Sequence, residues 1–542
     1  MRQAKAYAAH VAFNIAKQAR SALDSPRDMA IKAHHRRRLL FVLLFLGASL
    51  AVRAQEAAPI RSLAQLRQQL QADVSQPKFS AALWGIKVVS LTSGKTVFDY
   101  QADRLMSPAS NTKLYTSALG LSLLGGDYRF ATPIYATGKI NRAGTLQGDL
   151  VVVGHGDPSW NERRLGTNFW TVFEPFIASA THAGIRRIQG NVLADATCFR
   201  GSPTGSSWTF EDLAEGETGL ISALSLHDNL TQFRVEPGSG IGERCRIEPV
   251  QPGTGLACSN RTVTAAPGLP AHLEVFEPLH ARTIYILGQL PLGSAAQTVD
   301  AAVPQPAEWF AQAFKLALAR RGIAVSGQAL AAKWPAEAGD FWKVDSGTKL
   351  GTVFSPPLRD VIRAFMKPSQ NLEAELLLAA VGEASRDPAG PSGLTSEAAG
   401  LAALQHFLTS AGIPTEEVRF DEGSGLSRNN LATANATVAL LQFMASQREA
   451  NDFIAALPIA GEDGTLQSRF RNTAAAGNVV AKSGTLRWAQ ALSGYVTTAA
   501  GERLAFSIML NRFAPAPGQS GTAEIDPLVL MLANFAGRSD QP

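Results

Sequence analysis

Apolar residues follow two different spacings in the first part of the chain. Alternating segments from Ala81 to Val89 and from Lys95 to Tyr100, separated by Thr92-Ser93-Gly94, predict a β-hairpin. The continuous apolar segment from Leu114 to Leu123 is typical of a buried helix. The hairpin is therefore predicted to lead into a helix that is buried by the elements around it.

Short strand patterns and turns dominate residues 136–344. One of the strand patterns, Thr283 to Leu287, is flanked by turn-forming residues. The segment closes with a predicted helix from Ala307 to Arg321, in which Phe310 and Phe314 lie on one face. Because few helical patterns occur here, the segment is predicted to be a separate β-rich insertion.

Helical periodicity returns after residue 345 and ends in a second hairpin pattern. The predicted helices are Leu372 to Val381, Leu401 to Ala411, Thr437 to Ser446 and a last one near Pro527 to Phe535. The predicted strands of the hairpin are Ala491 to Thr497 and Arg503 to Leu510.

Composition and charge exclude some classes of protein. With 542 residues, 46% hydrophobic and 18% charged, the chain is globular and long enough for two or three domains. The formal net charge of +5 comes from the first 54 residues, which hold ten Lys and Arg against two Asp. The remainder has 40 basic against 43 acidic residues, so nothing indicates nucleic-acid binding.

The basic N-terminal segment has the order of a secretory signal peptide. His34-His35-Arg36-Arg37-Arg38 precedes an apolar run from Leu39 to Val52, and Val52-Arg53-Ala54 resembles a cleavage site. An uncleaved anchor is the alternative, and translation from Met29 is our hypothesis for the unusual residues before it. We expect export to the periplasm, and we leave open both a peripheral contact with the membrane and the oligomeric state.

Cysteines and histidines give no pattern of a metal site. In an oxidising compartment Cys245 and Cys258 could close a short loop, with Cys198 left over. The nine histidines are scattered, and neither a Cys-x-x-Cys nor a His-x-x-x-His motif occurs. We therefore expect neither a metal nor another cofactor.

Ser110 and Lys113 have the spacing of a nucleophile and its base. Residues three apart share one face of a helix, and burial lowers the pKa of a lysine enough for it to deprotonate a serine. The same Ser-x-x-Lys spacing occurs at residues 75–78 and 346–349, so one match alone is weak.

Two further motifs, Ser369-Gln370-Asn371 and Lys482-Ser483-Gly484-Thr485, follow in the order typical of penicillin-binding proteins and class A β-lactamases. In acyl transfer Ser110 would attack, Lys113 would take its proton, and Ser369 would relay a proton from a lysine to the leaving amine. Asn371 would bind Lys113 and the substrate amide. Lys482 would supply a fixed charge for a substrate carboxylate and depress the pKa of Lys113.

The strand predicted around Lys482 adds further substrate-binding candidates. Ser483 and Thr485 bring hydroxyl donors to its edge, and Gly484 lies between them. We expect the oxyanion to bind between the backbone N–H groups of Ser110 and Thr485.

At these motifs the chain resembles a known family, peptidase family S13, the class C type-4 low-molecular-mass penicillin-binding proteins. These proteins are D-alanyl-D-alanine carboxypeptidases and endopeptidases. The resemblance covers roughly residues 60–540 and is carried by Pro108 to Lys113, Glu422 to Arg428, Leu457 to Leu466 and Ala481 to Leu486. Glu422 replaces the usual aspartate, and Ser483 replaces the commoner threonine.

The resemblance implies an α+β multidomain fold. Residues 60–135 and 345–540 would form a β-lactamase/transpeptidase-like domain, with an antiparallel sheet flanked by helices. Residues 136–344 would form a β-rich insertion of two domains, which fits the 259-residue interval between Ser110 and Ser369. Arg428 resembles an arginine that lines the cleft, and Asp212 resembles an aspartate that binds the free ammonium of diaminopimelate.

The resemblance implies a serine D-Ala-D-Ala carboxypeptidase and DD-endopeptidase. Its partners would be peptidoglycan stem peptides and β-lactam antibiotics. Two alternatives remain: a serine β-lactamase or esterase on the same fold, and an inactive peptidoglycan-binding scaffold. The first is disfavoured because no Glu-x-x-Leu-Asn block lies between Ser369 and Lys482, and the second because the required side chains are all present.

Overall fold

The computed structural model describes residues 60–541, apart from residues 167, 215–217, 279–280, 337–341, 343–346 and 388–392. The predicted signal peptide, residues 1–54, lies outside the described residues, as does Ser346 of the third Ser-x-x-Lys match.

Helices occur mainly at the two ends of the described chain. They are α1 (Leu63–Val74), α2 (Thr112–Leu124), α3 (Glu162–Leu165), α4 (Glu174–His182), α5 (Phe210–Ala214), α6 (Pro306–Arg320), α7 (Leu358–Met366), α8 (Asn371–Ala384), α9 (Ser396–Ser410), α10 (Ala434–Ser446), α11 (Ala450–Ala456) and α12 (Thr522–Ala533). Within the described residues, none is both long and apolar enough to cross a membrane.

Strands are concentrated in the middle of the chain and near its C-terminus. They are β1 (Leu83–Ser90), β2 (Thr96–Tyr100), β3 (Ala131–Ala136), β4 (Thr145–Leu146), β5 (Leu150–Val153), β6 (Arg187–Ile188), β7 (Val192–Ala196), β8 (Leu230–Glu236), β9 (Arg246–Pro249), β10 (Ala257–Ala265), β11 (His272–Phe276), β12 (Thr283–Pro291), β13 (Gln297–Ala302), β14 (Ala324–Val325), β15 (Ala329–Lys333), β16 (Thr348–Phe354), β17 (Val418–Arg419), β18 (Leu431–Ala432), β19 (Val480–Leu486), β20 (Ala489–Thr497) and β21 (Arg503–Asn511).

The two predicted hairpins join into one antiparallel sheet of order β19-β20-β21-β1-β2. Strands from both ends of the chain are therefore hydrogen-bonded neighbours, for example at the pair Trp84 and Leu510. Nearly every residue of β20 is buried, because helices cover both faces of the sheet.

Each face of this sheet has its own apolar core. On one face α12 packs against β20 and α1, and Leu66, Leu70 and Leu528 are fully or almost fully buried there. On the other face α10 packs against β1 and β21 and leads to the core around α2 and α8. The last helix begins at Thr522 rather than near Pro527, because a polar first turn precedes its apolar residues.

The inserted segment builds a second five-stranded sheet, of order β15-β7-β5-β3-β16. Strand β7 pairs in parallel with β5 and β15, whereas β3 pairs antiparallel with β5 and β16. The predicted helix is confirmed as α6, and its Phe310 and Phe314 stack with Phe173 and Phe176 under the sheet. Because β3 and β16 belong to this sheet, the sheet extends beyond residues 136–344 on both sides. The domain boundaries stay a prediction.

A second part of the insertion has a small core of its own. The three-stranded sheets β10-β12-β11 and β13-β8-β9 enclose Phe233, Val235, Ile284 and Ile286. The expectation of a bond between Cys245 and Cys258 is not met, since both are free thiols. The buried Cys245 instead has its Sγ 3.9 Å from the hydroxyl of Thr264.

Candidate active site

Ser110 lies where the first hairpin meets the buried helix. The short 3-10 turn Ala109–Asn111 leads directly into α2. Asn111 donates to the Ser493 hydroxyl of β20 at 2.8 Å, which ties the turn to the central sheet. The predicted contact between Ser110 and Lys113 is confirmed, with 3.1 Å between Oγ and Nζ.

Lys113 has an oxygen atom in each of three directions. Its Nζ donates to Asn371 Oδ1 at 2.7 Å and to the Ser424 carbonyl at 2.6 Å, and Ser110 Oγ lies in the third direction. The first two oxygens can only accept, so they use two N–H groups of the amine. In the neutral form the lone pair is therefore left facing the Ser110 hydroxyl, the geometry that a base requires.

Burial is the main cause of the unusual proton affinity of Lys113. The side chain is fully buried, and burial lowers its pKa to about 8, while the nearby carboxyl groups of Glu422 and Glu375 act in the opposite direction. Lys482 also interacts electrostatically with Lys113, and its lowering of the pKa of Lys113 stays a prediction beside the larger effect of burial.

Lys482 lies on β19 beside the Ser-x-Asn motif. Its Nζ donates to Ser369 Oγ and to the Ser483 carbonyl, both at 2.8 Å. Burial and the charge of Lys113 hold the pKa of Lys482 well below its ordinary value. Positive charges on both lysines would repel each other, so a bound anion would favour the charged form predicted for Lys482.

The Ser-x-Asn motif turns sharply at its serine. Ser369 has φ of +70°, a left-handed conformation that is rare for a residue with a side chain. Asn371 is the first residue of α8, as predicted. The turn directs Ser369 towards Lys482 and Asn371 towards Lys113, so one motif contacts both lysines. Backbone strain of this kind is often found at functional sites.

The edge of β19 passes very close to Ser110. A Cβ atom on Gly484 would lie 2.5 Å from the Pro108 carbonyl oxygen and 3.1 Å from the Ser110 nitrogen, so only glycine fits here. The Ser483 hydroxyl bonds Thr465 Oγ1 at 2.6 Å. Thr485 is exposed, and its hydroxyl donates to Gln490 at 3.0 Å rather than pointing free into the cleft.

Arg428 and Asp212 form an ion pair with each other. The guanidinium lies 3.2 Å from Asp212 Oδ2, and the Asp212 side chain is only 10% exposed. The neighbouring Ser207 hydroxyl donates to Asp421, and Trp208 Nε1 donates to Glu422 at 3.4 Å. The insertion therefore lies against the loop that carries the Ser424 carbonyl.

Three further residues of this site escaped prediction. Ser424 supplies its carbonyl to Lys113, and Glu375 and Glu422 hold the loop around it. Two signals were available: Glu375 is four residues after Asn371 and so on the same face of α8, and Glu422 and Ser424 belong to a family-like segment in which only Arg428 was assigned a role. A contact made by a backbone carbonyl, such as that of Ser424, cannot be recognised from the sequence, because every residue has such a group.

Comparisons with known proteins agree with this arrangement. A profile of the D-Ala-D-Ala carboxypeptidase 3 (S13) family matches residues 66–535. The chain is 33% identical over 512 residues to a D-alanyl-D-alanine carboxypeptidase of an Actinomadura species, covering 92% of this chain and 89% of that protein. It is 25% identical over 468 residues to the D-alanyl-D-alanine carboxypeptidase DacB of Haemophilus influenzae, covering 85% and 92%.

The fold is also that of a solved relative. The crystal structure of penicillin-binding protein 4 from Haemophilus influenzae superposes with a TM-score of 0.71 at 24% identity, covering 88% of this chain and 98% of that one. The α+β multidomain prediction is thereby confirmed. From the profile, the length of the sequence match and the shared fold, we conclude that the chain belongs to the D-Ala-D-Ala carboxypeptidase 3 (S13) family.

Proposed function

We propose that this chain cleaves D-Ala-D-Ala termini and D-Ala-diaminopimelate cross-links of peptidoglycan through an acyl-enzyme at Ser110. The family makes it a serine-type D-Ala-D-Ala carboxypeptidase. The residue roles, the endopeptidase activity and the compartment belong to the proposal.

One observation carries the assignment of roles. Lys113 Nζ has two of its directions occupied by acceptor oxygens, Asn371 Oδ1 and the Ser424 carbonyl, and only Ser110 Oγ lies in the third. A buried amine held in this way has its lone pair aimed at one hydroxyl, which is partly open to solvent.

Acylation follows from these contacts. Ser110 Oγ attacks the carbonyl carbon of the penultimate D-Ala while its proton moves to Lys113 Nζ. The C–N bond then breaks, the leaving amine takes a proton from the Ser369 hydroxyl, and Lys482 replaces that proton. The substrate carboxylate favours the charged form of Lys482 by attraction, so binding itself prepares the proton donor.

Deacylation uses the same base. The proton that Lys113 took from Ser110 first passes to Lys482 by way of solvent, which restores both lysines. Water then attacks the ester carbon and gives its proton to the neutral Lys113, and Lys113 passes that proton to Ser110 Oγ as the ester C–O bond breaks and the free acid leaves. The negative oxygen that forms in each step would accept from the backbone N–H groups of Ser110 and Thr485, at the place where β19 approaches the turn.

The proposal that cross-links and β-lactams also react follows from the groups that these compounds carry. Cross-link cleavage needs the same ester and differs only in its leaving amine. Asp212 offers a carboxylate to the free ammonium of a diaminopimelate side chain on the stem peptide. β-Lactams carry a strained amide beside a carboxylate, and so would acylate Ser110 and leave slowly. The signal-peptide pattern of residues 34–54 supports a periplasmic location.

The test is fluorescent-penicillin labelling and D-Ala release by the Ser110→Ala protein. Both should be lost while the circular dichroism spectrum stays unchanged. Ser75→Ala is the matched control, because Ser75 belongs to the Ser-x-x-Lys copy in which Lys78 pairs with Glu524 on the surface. Full labelling of Ser110→Ala would refute the assignment, and rapid steady-state hydrolysis of nitrocefin by the wild type would favour the β-lactamase alternative.

A further inference from the structure

Two glutamates lie buried beneath the base without any part in the chemistry described so far. Glu375 on α8 is 2% exposed and Glu422 is 0% exposed. Burial of two carboxyl groups is costly unless hydrogen bonds and charge partners compensate, so their contacts show what they do.

Glu375 binds the loop from the side of α8. Its two oxygens accept from the backbone nitrogens of Gly423 at 3.0 Å and of Ser424 at 2.8 Å. Both acceptors of the carboxyl group are thus used on one short stretch of backbone, which holds Ser424 in place.

Glu422 binds the same loop from within. It accepts from the Gly425 nitrogen at 2.7 Å, from the Ser424 nitrogen at 3.1 Å and from the Ser424 hydroxyl. The amide of Asn430 and the indole of Trp208 also donate to it. Gly425 itself must be glycine, because a Cβ there would overlap the Ala109 carbonyl.

One peptide group connects this pair to Lys113. The Ser424 carbonyl accepts from Lys113 at 2.6 Å, and the N–H at the other end of that peptide, on Gly425, donates to Glu422. A peptide held at both ends by charged groups is polarised along its length, so a charge on Glu422 acts on Lys113 both directly and through this dipole.

The pKa values of the two neighbouring carboxyl groups are shifted in opposite directions. Burial and the neighbouring charge of Glu422 raise the pKa of Glu375 well above its usual range, so Glu375 donates to Glu422. Burial also acts against ionisation of Glu422, but the hydrogen bonds from Glu375, Ser424 and Gly425 outweigh it and lower its pKa. The pair therefore carries one negative charge.

Other charged groups face this cluster from neighbouring elements. Glu397 on α9 interacts with both carboxyl groups, and Asp421 precedes Glu422 and interacts with Glu397. Lys482 on β19 faces Lys113 from the opposite side. Within the described residues, Lys113 is the cation that interacts with the pair from the catalytic side.

We propose that Glu375 and Glu422 are positioning residues for the catalytic base, which hold the Ser424 carbonyl against Lys113 and place a single negative charge beneath its amine. The proposal rests on the role of Lys113 proposed above. The charge offsets part of the burial, so that Lys113 stays basic enough to accept the proton from Ser110.

The pH profile of acylation distinguishes this role from a purely structural one. Glu422→Gln removes the charge while keeping the shape, so the pKa of Lys113 should fall. The acidic limb of the profile should move to lower pH by at least half a unit, which is about a threefold gain relative to the plateau on that limb. The plateau itself should drop, because a weaker base remains.

Glu375→Gln is the matched variant. It keeps the charge on Glu422 but loses one acceptor for the loop, so the rate should fall about tenfold with the limb at the wild-type pH. Glu397→Gln, which removes a neighbouring carboxyl group with no bond to the loop, should leave the plateau within about twofold.

Three results would overturn the proposal. The acidic limb of the Glu422→Gln profile could stay at the wild-type pH, it could move to higher pH, or the acidic limb of the Glu375→Gln profile could move. If Glu422→Gln does not fold, Glu422→Asp retains the charge and must keep the wild-type limb, and a displaced limb refutes the proposal equally. Failure of the underlying function would appear differently, as a wild-type protein that penicillin does not label.

Discussion

Lowering the pH through the neutral range should switch off the base of this enzyme. Lys113 is fully buried, and its pKa is lowered to about 8, so protonation in the neutral range removes the lone pair that faces Ser110. We therefore expect the rate of acylation to rise with pH up to about 8 and to level off above it.

The size of the effect follows from this pKa. At pH 7 about one tenth of Lys113 is the free amine, and at pH 6 about one hundredth, so the rate should fall about tenfold for each unit below 8. With the ordinary pKa of 10.5, about one molecule in 3,000 would have the free amine at pH 7. Burial thus makes the base about 300-fold more available, which corresponds to about 3 kcal/mol.

The assay is stopped-flow acylation by a saturating fluorescent penicillin between pH 5.5 and 9.5 at constant ionic strength. Saturation matters because the bound carboxylate keeps the proton on Lys482, so the limb reports on Lys113 alone. Lys78→Ala is the control variant, since Lys78 lies on the surface in an ion pair with Glu524. A flat profile from pH 6 to 8, or a rate that still rises about tenfold per pH unit up to 9.5, would refute the reasoning.

The remaining predictions concern selectivity and stability. Asp212→Ala should lower kcat/KM for diaminopimelate-containing peptides by about 10- to 100-fold and leave a D-Ala-D-Ala dipeptide nearly unchanged, because only the former have a side-chain ammonium for this carboxylate. Arg428→Ala removes the cation that competes for Asp212 and should not slow cleavage of these peptides. Equal losses of kcat/KM on both substrates in the Asp212 variant would exclude Asp212 from the site. Phe314→Ala should cost about 3–5 kcal/mol in urea unfolding, because this ring is fully buried in the aromatic core under α6. Leu316→Ala, at a 36% exposed position of the same helix, should cost less than about 1 kcal/mol, and similar losses in the two variants would contradict the packing argument.

Local pattern predicted much of the fold. The hairpins at Leu83–Tyr100 and Ala489–Asn511 and the helix Pro306–Arg320 were all visible as alternation or as helical spacing. These features depend on which neighbours along the chain share a face, and short-range geometry decides that. The last helix was misplaced by five residues because its polar first turn has no apolar spacing.

The pairing of strands was beyond such patterns. β1 lies between β2 and β21, so strands more than 400 residues apart are hydrogen-bonded. The sheet of the insertion likewise includes β3 and β16. The bounds of the insertion therefore do not coincide with the change in composition along the sequence. Strand order depends on which apolar faces find each other in three dimensions, and a linear sequence does not record that.

The candidate site divides in the same way. The types and order of Ser110, Lys113, Ser369, Asn371 and Lys482 could be read directly, since three motifs in one order are far more specific than one. The structure brings them into two hydrogen-bonded groups, Ser110 with Lys113 and Asn371, and Ser369 with Lys482, which the Ser-x-Asn motif joins through the chain.

What the sequence determined by itself was the chemistry available: two serines, two lysines and an amide, in motifs whose spacing suits acyl transfer. Only the tertiary structure decided how strong a base Lys113 is and what sets that strength. Its proton affinity depends on exclusion of water by the helices around it and on the charge shared by Glu375 and Glu422. Burial and charge are properties of the surroundings in space, so the base acquires its character only when the distant parts of the chain have packed around it.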